Sequence, residues 1–347
     1  MKKSTTTVTE APRLLVYVTG DRIGDGLLKY PVLRALRESL PTMHLTWVTG
    51  RNPSIFAGRL APLVAGLIDE VHERTGLGDG LLKPIPRHLR GPYHAVVCTE
   101  SRILSALKLG RIPSRTYVAP ALRFRLSSVA PSGSTTGMTV FERFRAMMEL
   151  AIGHVLDVRT QIEVPSALEA DAARRLPDGV PYVGLSPGAG GISKRWPLEK
   201  FMQLAQRFMA RGAVPVFFLG PEEAEFRTKI QERLPGVVFP EYGDGTAAEQ
   251  SPLFTVALAR RLVFSVANDS GGGHLVAAGG RPLLTLYGHT NATKFKSPYC
   301  DHHSLTASEV GYKTLDDLPT ELVEARAVEL RLEALLAGAA RRISPSR

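Results

Sequence analysis

Cysteine is scarce. The 347 residues hold two, Cys98 and Cys300, and no Cys-x-x-Cys pair. That excludes a disulfide framework and a thiolate metal cluster, and it fits a reducing cytoplasm. Long apolar runs are missing as well. The longest, such as Leu14–Val18 and Val214–Leu219, have strand length and fall far short of the roughly 20 residues that span a bilayer. Residues 1–12 are polar and Thr-rich without the apolar centre of a signal peptide, so they read as a disordered tail. The glycines of Gly20–Gly26 follow the first apolar run but lack Gly-x-Gly-x-x-Gly spacing, which argues against a dinucleotide-dependent dehydrogenase. His289, His302 and His303 come without carboxylate-rich spacing and read as surface residues. No metal ligand set and no cofactor is therefore expected.

Basic charge is abundant, but only in one half. Residues 1–160 hold 22 Lys and Arg against 12 Asp and Glu, while residues 161–347 hold 21 of each. The whole excess of +10 thus lies in the first half. Such asymmetry suits either a solvated surface or an anionic partner for that half alone. Arg51, Arg102 and Arg123 are among the side chains that could meet one.

Strands and helices alternate in both halves. Arg13–Thr19 reads as a strand; Leu27, Leu28, Val32, Leu33, Leu36 and Leu40 then recur at helical spacing, with Pro31 placed early in that helix. Leu45–Thr49, Ala95–Thr99 and Thr116–Ala119 are further strands, and Phe141–Val155 is a helix. The polar stretch Gln161–Val180, with prolines at 165 and 177, reads as the connection. Beyond it come strands Tyr182–Ser186, Val214–Leu219, Leu262–Val266 and Leu283–Leu286. Helices start at Pro197, at Glu222 and at Ser251-Pro252, and Leu318–Leu336 is a last amphipathic helix. The expected class is α/β, with two doubly wound parallel sheets. The first domain is expected at 13–165, the second at 175–315, and a C-terminal helix and tail at 316–347.

In such folds ligands sit at the carboxyl ends of strands. Four segments fall there in the second half. Ser186-Pro187-Gly188-Ala189-Gly190 can bring backbone close to phosphates, and Lys194-Arg195-Trp196-Pro197 adds cations beside it. Glu222 and Glu223 could hold ribose hydroxyls. Asp269-Ser270-Gly271-Gly272-Gly273-His274 opens a helix whose N–H groups favour an anion. Each segment alone is usually a turn; together they predict a nucleotide site. In the first half Asp25, on the loop after the first strand, is the candidate base, although aspartate also suits a helix N-cap.

These segments resemble glycosyltransferase family 9, the heptosyltransferases of lipopolysaccharide core assembly. The resemblance runs through Ile23-Gly24-Asp25-Gly26, Pro31 and Leu36; Ser186-Pro187-Gly188-Ala189; Lys194-Arg195-Trp196-Pro197; and Asn268-Asp269-Ser270-Gly271 with His274. It implies a GT-B fold, two Rossmann-like domains facing a central cleft, with acceptor on the first and nucleotide-sugar on the second. It implies inverting, metal-independent transfer from a nucleotide-diphosphate sugar, ADP-heptose, to an anionic glycolipid acceptor of the lipid A type. Asp25 inherits the role of base and Lys194 that of diphosphate ligand. Ser186, Gly188, Ala189, Gly190, Glu222, Glu223, Asp269, Ser270, Gly271, Gly272 and His274 would line the donor site; Arg51, Arg102 and Arg123 would serve the acceptor. The implied setting is cytoplasmic and peripheral at the inner membrane, with no nucleic-acid partner. The family departs from this chain at Ala189-Gly190, where some members carry hydroxyls, and at Gly272-Gly273, where bulkier residues are common and a looser loop is expected here. Alternatives are a GT-B-fold nucleotide-sugar epimerase, a family member acting on another sugar, and a non-catalytic nucleotide-binding homologue.

Overall fold

The structure, a computed structural model, describes residues 11–242 and 251–329. The expected N-terminal tail falls outside these residues except at Ala11 and Pro12, and so does the end of the expected last helix, which is helical over 320–329. Packing divides the chain into two units between Arg159 and Thr160.

The first unit comprises β1 Arg13–Val18, α1 Ile23–Ser39, β2 His44–Thr49, β3 Glu70–His72, β4 Tyr93–Cys98, α2 Ile103–Leu109, β5 Ser114–Val118 and α3 Val140–Ile152. The strands form one parallel sheet in the order β3-β2-β1-β4-β5. β1, β2 and β4 are buried at nearly every position, as expected when both faces of a parallel sheet are covered. On one face Leu15, Tyr17, Val96 and Cys98 pack with Ala106 and Leu109 of α2. On the other, Trp47 meets Phe56 and, edge-on at 6.1 Å, Phe144 of α3. α3 starts where its sequence says it should: the Thr139 hydroxyl accepts from Glu142 N, and the Glu142 carboxylate accepts from Thr139 N. Gly153, left-handed at φ 80°, ends it.

α1 differs from expectation. It begins at Ile23, so Pro31 lies mid-helix, where it has no N–H to offer the carbonyl of Leu27. The helix survives because Leu27 through Leu36 are all buried; packing outweighs the lost bond. β3 and α2 were not apparent in the sequence, and β3 joins β4 through residues 73–92 without an α-helix.

The second unit comprises α4 Ser166–Arg175, β6 Tyr182–Ser186, α5 Leu198–Ala210, β7 Val214–Phe217, α6 Phe226–Arg233, α7 Pro252–Ala259, β8 Phe264–Asn268, α8 Gly271–Ala277, β9 Leu283–Tyr287 and β10 His302–Thr306. Its parallel sheet has the order β10-β9-β8-β6-β7. The stretch expected to be only a connection contains α4, held against α7 by an Arg260–Glu169 ion pair and by Arg175 lying 4.8 Å from the Phe254 ring centre. The helix expected from Glu222 instead starts at Phe226, after a short turn at Pro221–Glu223.

His302 corrects another expectation. It is 8% exposed and sits in β10. Its Nδ1 accepts from Ser297 N at 2.6 Å, so Nε2 carries the proton that goes to Thr285 Oγ1 at 2.8 Å. Burial is the chief reason its pKa falls to about 4; the neighbouring His274, Lys296 and His303 add to the shift and Asp269 opposes it. His289 is exposed, as read.

Candidate functional site

Strand order fixes where each unit can hold a ligand. In the second sheet the chain leaves β6 toward β7 and later leaves β8 toward β9 and β10 on the other side. The direction of winding therefore reverses between β6 and β8, and a crevice opens there at the carboxyl ends. The loops that follow these two strands are Ser186–Gly190 and Asp269–His274.

Asn268 at the end of β8, fully buried, ties the two loops together. Its side chain donates to Pro187 O at 2.7 Å and accepts from Trp196 N at 3.0 Å. Trp196 is itself pinned by its indole N–H to Leu318 O at 3.0 Å. That anchorage delivers Lys194 to Asp269: Nζ lies 2.7 Å from Oδ2, with 41% of the lysine side chain exposed and 8% of the aspartate. Two residues expected to meet a ligand thus also meet each other. Asn268 belongs to the motif but was not foreseen as its organiser; an amide between an apolar strand and an acid is the signal that could have marked it.

Ser270 caps α8. Its hydroxyl accepts from Gly273 N at 3.1 Å, and its carbonyl accepts from His274 N at 3.1 Å. The first-turn N–H groups of Gly271 and Gly272 have no partner within a helix. The glycines do not loosen this loop. A Cβ on Gly272 would lie 2.8 Å from Ser186 Oγ, and one on Gly273 would lie 2.8 Å from Asn268 O. Glycine here permits close packing, which corrects the looser loop expected.

The third strand end carries Glu222 and Glu223. Glu222 is 76% exposed at its side chain and Glu223 only 8%. Glu223 fills the space beside Gly188 and Gly220: a Cβ on either glycine would come within 2.7 Å of its carboxyl group. Burial raises its pKa, against the pull of Arg195, whose Nη2 lies 3.8 Å away. Arg195 also donates to Ala189 O at 2.9 Å. Glu223 and Arg195 therefore shape the Gly188–Gly190 backbone, while Glu222 projects outward. Ser186 and Ala189 are buried and Gly190 is exposed.

In the first sheet the winding reverses between β1 and β4. Asp25 and Arg102 lie just beyond the carboxyl ends of these strands. Asp25 is not the N-cap of α1 but its third residue; it is partly exposed, and Oδ2 accepts from Arg22 N at 3.4 Å. The buried aspartate of the loop is Asp21, which accepts from Trp47 Nε1, Ser54 Oγ and Ile55 N. Asp21 is thus committed to structure and Asp25 is available. Glu100 joins the two loops by accepting from Thr19 N at 3.2 Å. Arg51 is paired with Asp79 at 2.6 Å, and that bond raises its pKa. Arg102 is exposed. Arg123 is exposed in a turn where Leu122, Arg123 and Phe124 all have positive φ, 52°, 56° and 65°. Burial pushes the Cys98 and Cys300 thiols up to about 12, which favours the protonated thiol at neutral pH.

Among the described residues no group of three or more His, Cys, Asp or Glu is placed to hold a metal ion, and no helix is long and apolar enough to cross a membrane.

Residues 121–317 match the sequence pattern of Glycosyltransferase family 9 (heptosyltransferase). Over 293 residues, 77% of this chain and 80% of the relative, the sequence is 33% identical to Lipopolysaccharide heptosyltransferase 2 of Escherichia coli K12. Over 112 residues, about a third of either chain, it is 32% identical to Lipooligosaccharide heptosyltransferase 2 of Haemophilus influenzae. The solved structure of E. coli ADP-heptose lps heptosyltransferase II superposes with a TM-score of 0.61 at 20% identity, covering 93% of this chain and 99% of that one.

Proposed function

The chain belongs to glycosyltransferase family 9, has the GT-B fold and is a glycosyltransferase; from that premise we propose that it moves a heptose from ADP-heptose to an anionic lipopolysaccharide-core acceptor, with inversion and without a metal. The donor sugar is the one for which E. coli ADP-heptose lps heptosyltransferase II, which shares the fold, is named. The observation that carries the reading is the Lys194–Asp269 pair, 2.7 Å apart at the switch point of the second sheet. An ammonium has three donors, so Lys194 can keep Asp269 and still face a diphosphate. Asp269, nearly buried, holds it in position.

The second unit is the donor domain and the first the acceptor domain. Asp25 accepts the proton of the acceptor hydroxyl as its oxygen bonds to the anomeric carbon. The bond from that carbon to the diphosphate oxygen breaks on the opposite face, and ADP departs with its charge met by Lys194 and the N–H groups of Gly271 and Gly272. A diphosphate leaves readily, so the two-carboxylate arrangement of glycosidases is not needed. Lys194 takes the part of a diphosphate-bound cation. The enzyme works on the cytoplasmic face of the inner membrane, where such an acceptor is exposed.

The test is transfer from ADP-heptose to a deacylated core acceptor, with and without EDTA, for the wild type and Asp25→Asn. EDTA is expected to leave the rate unchanged. Asp25→Asn is expected to lower kcat by roughly 10²-fold or more, the scale of general-base catalysis, with donor KM nearly kept. A near-normal kcat would reduce Asp25 to the partner of Arg22 N.

A further inference from the structure

The first unit has a second polar feature that the proposed chemistry leaves unused. The segment that joins β3 to β4 runs alongside α2: Leu77 and Leu89 share a core with Ala106 and Leu109, and Arg111 Nη1 donates to Leu81 O at 3.2 Å. Between this segment and the end of α2 lies a cavity of about 540 Å³, lined by Leu82, Lys83, Ile85, Arg90, Lys108 and Arg111 among others. Four of those six side chains are cationic.

Chain direction places this cavity. α2 returns from the carboxyl end of β4, so Lys108 and Arg111 sit beside the amino end of β5; Arg90 precedes the amino end of β4. Asp25 follows the carboxyl end of β1. Strands of five or six residues at about 3.3 Å per residue separate the two ends by roughly 17–20 Å. None of the residues that line the cavity belongs to the segment 19–25 that leads into α1 and Asp25, or to residues 99–102.

Lys108 is the telling residue. It is 1% exposed, and among the described residues its ammonium has no hydrogen bond or ion pair. Burial lowers its pKa; Asp79 opposes the shift, and Lys83 and Arg111 add to it. Asp79 is already bonded to Arg51. A buried ammonium among cations is costly unless an anion joins it. Arg90 and Arg111 each spend one N–H on a backbone carbonyl, Ile85 O and Leu81 O, and keep others for a ligand. Apolar side chains also line it, Leu82 among them and fully exposed, and Leu104 and Leu107, one helical turn before Lys108 and Arg111, add exposed apolar surface on α2 at 56% and 41%.

We propose that this cavity is a separate phosphate site, with Lys108 and Arg111 as its principal ligands and this apolar surface suited to the headgroup phosphate of a lipid. Phosphate fits a fork of guanidinium and ammonium donors better than a carboxylate does, because three oxygens can be shared among them.

The experiment titrates the full chain with sn-glycerol 3-phosphate at low salt. The wild type is expected to bind saturably, and Lys108→Met and Arg111→Gln to weaken binding at least tenfold each. Lys194→Ala, in the other unit, is expected to leave it unchanged. Arg111 is exposed, so its variant keeps the test valid if Lys108→Met does not fold. No saturable binding, or binding lost with Lys194 and kept without Lys108 and Arg111, overturns the proposal. A second arm separates the sources of phosphate. Sedimentation with phosphatidylglycerol vesicles but not phosphatidylcholine vesicles, lost in Arg111→Gln and in Leu82→Ser, supports a lipid headgroup. Glycerol phosphate binding without sedimentation supports the same site and assigns it to a soluble phosphate ester.

Discussion

Lys194 carries a charge already answered by Asp269, yet 41% of its side chain is open. Its removal affects two things at once. A diphosphate loses a charge-assisted bond, worth about 1.5–3 kcal/mol, and Asp269 becomes an unpaired carboxylate beside the same phosphates. Lys194→Ala is therefore expected to weaken ADP by roughly ten- to hundredfold and adenosine much less; calorimetric titration with both ligands measures the split. Equal losses would remove Lys194 from the diphosphate. His302 makes a second prediction at this scale. Its folded pKa of about 4 lies below its ordinary 6.5, so between these values the unfolded chain binds the extra proton. Stability is then full above pH 6.5 and is lost progressively as pH falls toward 4, by at most about 3 kcal/mol. Protonating Nδ1 would also set an N–H against the N–H of Ser297. Urea unfolding at pH 7 and pH 5 is expected to show this loss in the wild type and a smaller one in His302→Gln. Equal pH dependence in both would show that His302 is not the titrating group.

At the scale of elements, the Asp269 loop is built by close approach. A methyl on Gly272 meets Ser186 Oγ at 2.8 Å, so Gly272→Ala is expected to cost about 1–3 kcal/mol, the range for overpacking. It should also weaken ADP, because α8 must shift. Ser186→Gly removes the obstructing hydroxyl, and the double variant should regain most of the melting temperature; additive losses would show that the two loops do not touch. The strand-turn-helix order of both units was legible because strands such as β2, β6 and β9 are apolar runs flanked by proline or glycine. So was the grouping of Ser186, Lys194 and Asp269, since residues just past strand ends must share one edge of a parallel sheet. Other parts were not legible. β3, with Glu70 and His72, carries no apolar alternation, and α2 shows Ile103, Leu104 and Leu107 outward, which blurs its apolar face. His302 looked like surface because a neutral, doubly bonded imidazole in an edge strand leaves no pattern in spacing. Asn268 and Asp21 could be seen but not ranked, since their work depends on partners 26 to 81 residues away.

At the scale of the whole molecule, the charge is unevenly shared: the excess of +10 falls within residues 1–160, and residues 161–347 are balanced. An anionic acceptor bound to the first unit should therefore feel ionic strength more than a donor bound to the second. Raising salt from about 0.01 to 0.15 M shortens the reach of exposed charges from about 30 Å to 8 Å, so acceptor KM should rise several-fold. Donor KM should change less, because the proposed contact of Lys194 with the diphosphate is a short-range one beside the nearly buried Asp269. The three arginines are not equivalent in this respect. Arg51 is held by Asp79, and Arg123 stands in a turn of consecutive positive φ values that an alanine would also have to adopt. Arg102 is exposed and lies at the switch point of the first sheet, on the segment whose Glu100 bonds Thr19 N ahead of α1, the helix that carries Asp25. Arg102→Ala is thus expected to raise acceptor KM most, with donor KM unchanged, and to flatten the salt dependence of acceptor KM. Steady-state kinetics at both ionic strengths, varying each substrate in turn, supplies the measurement. If acceptor KM is flat with salt and Arg102→Ala, Arg51→Ala and Arg123→Ala are all silent, the basic half serves solubility and the acceptor is not recognised by its charge.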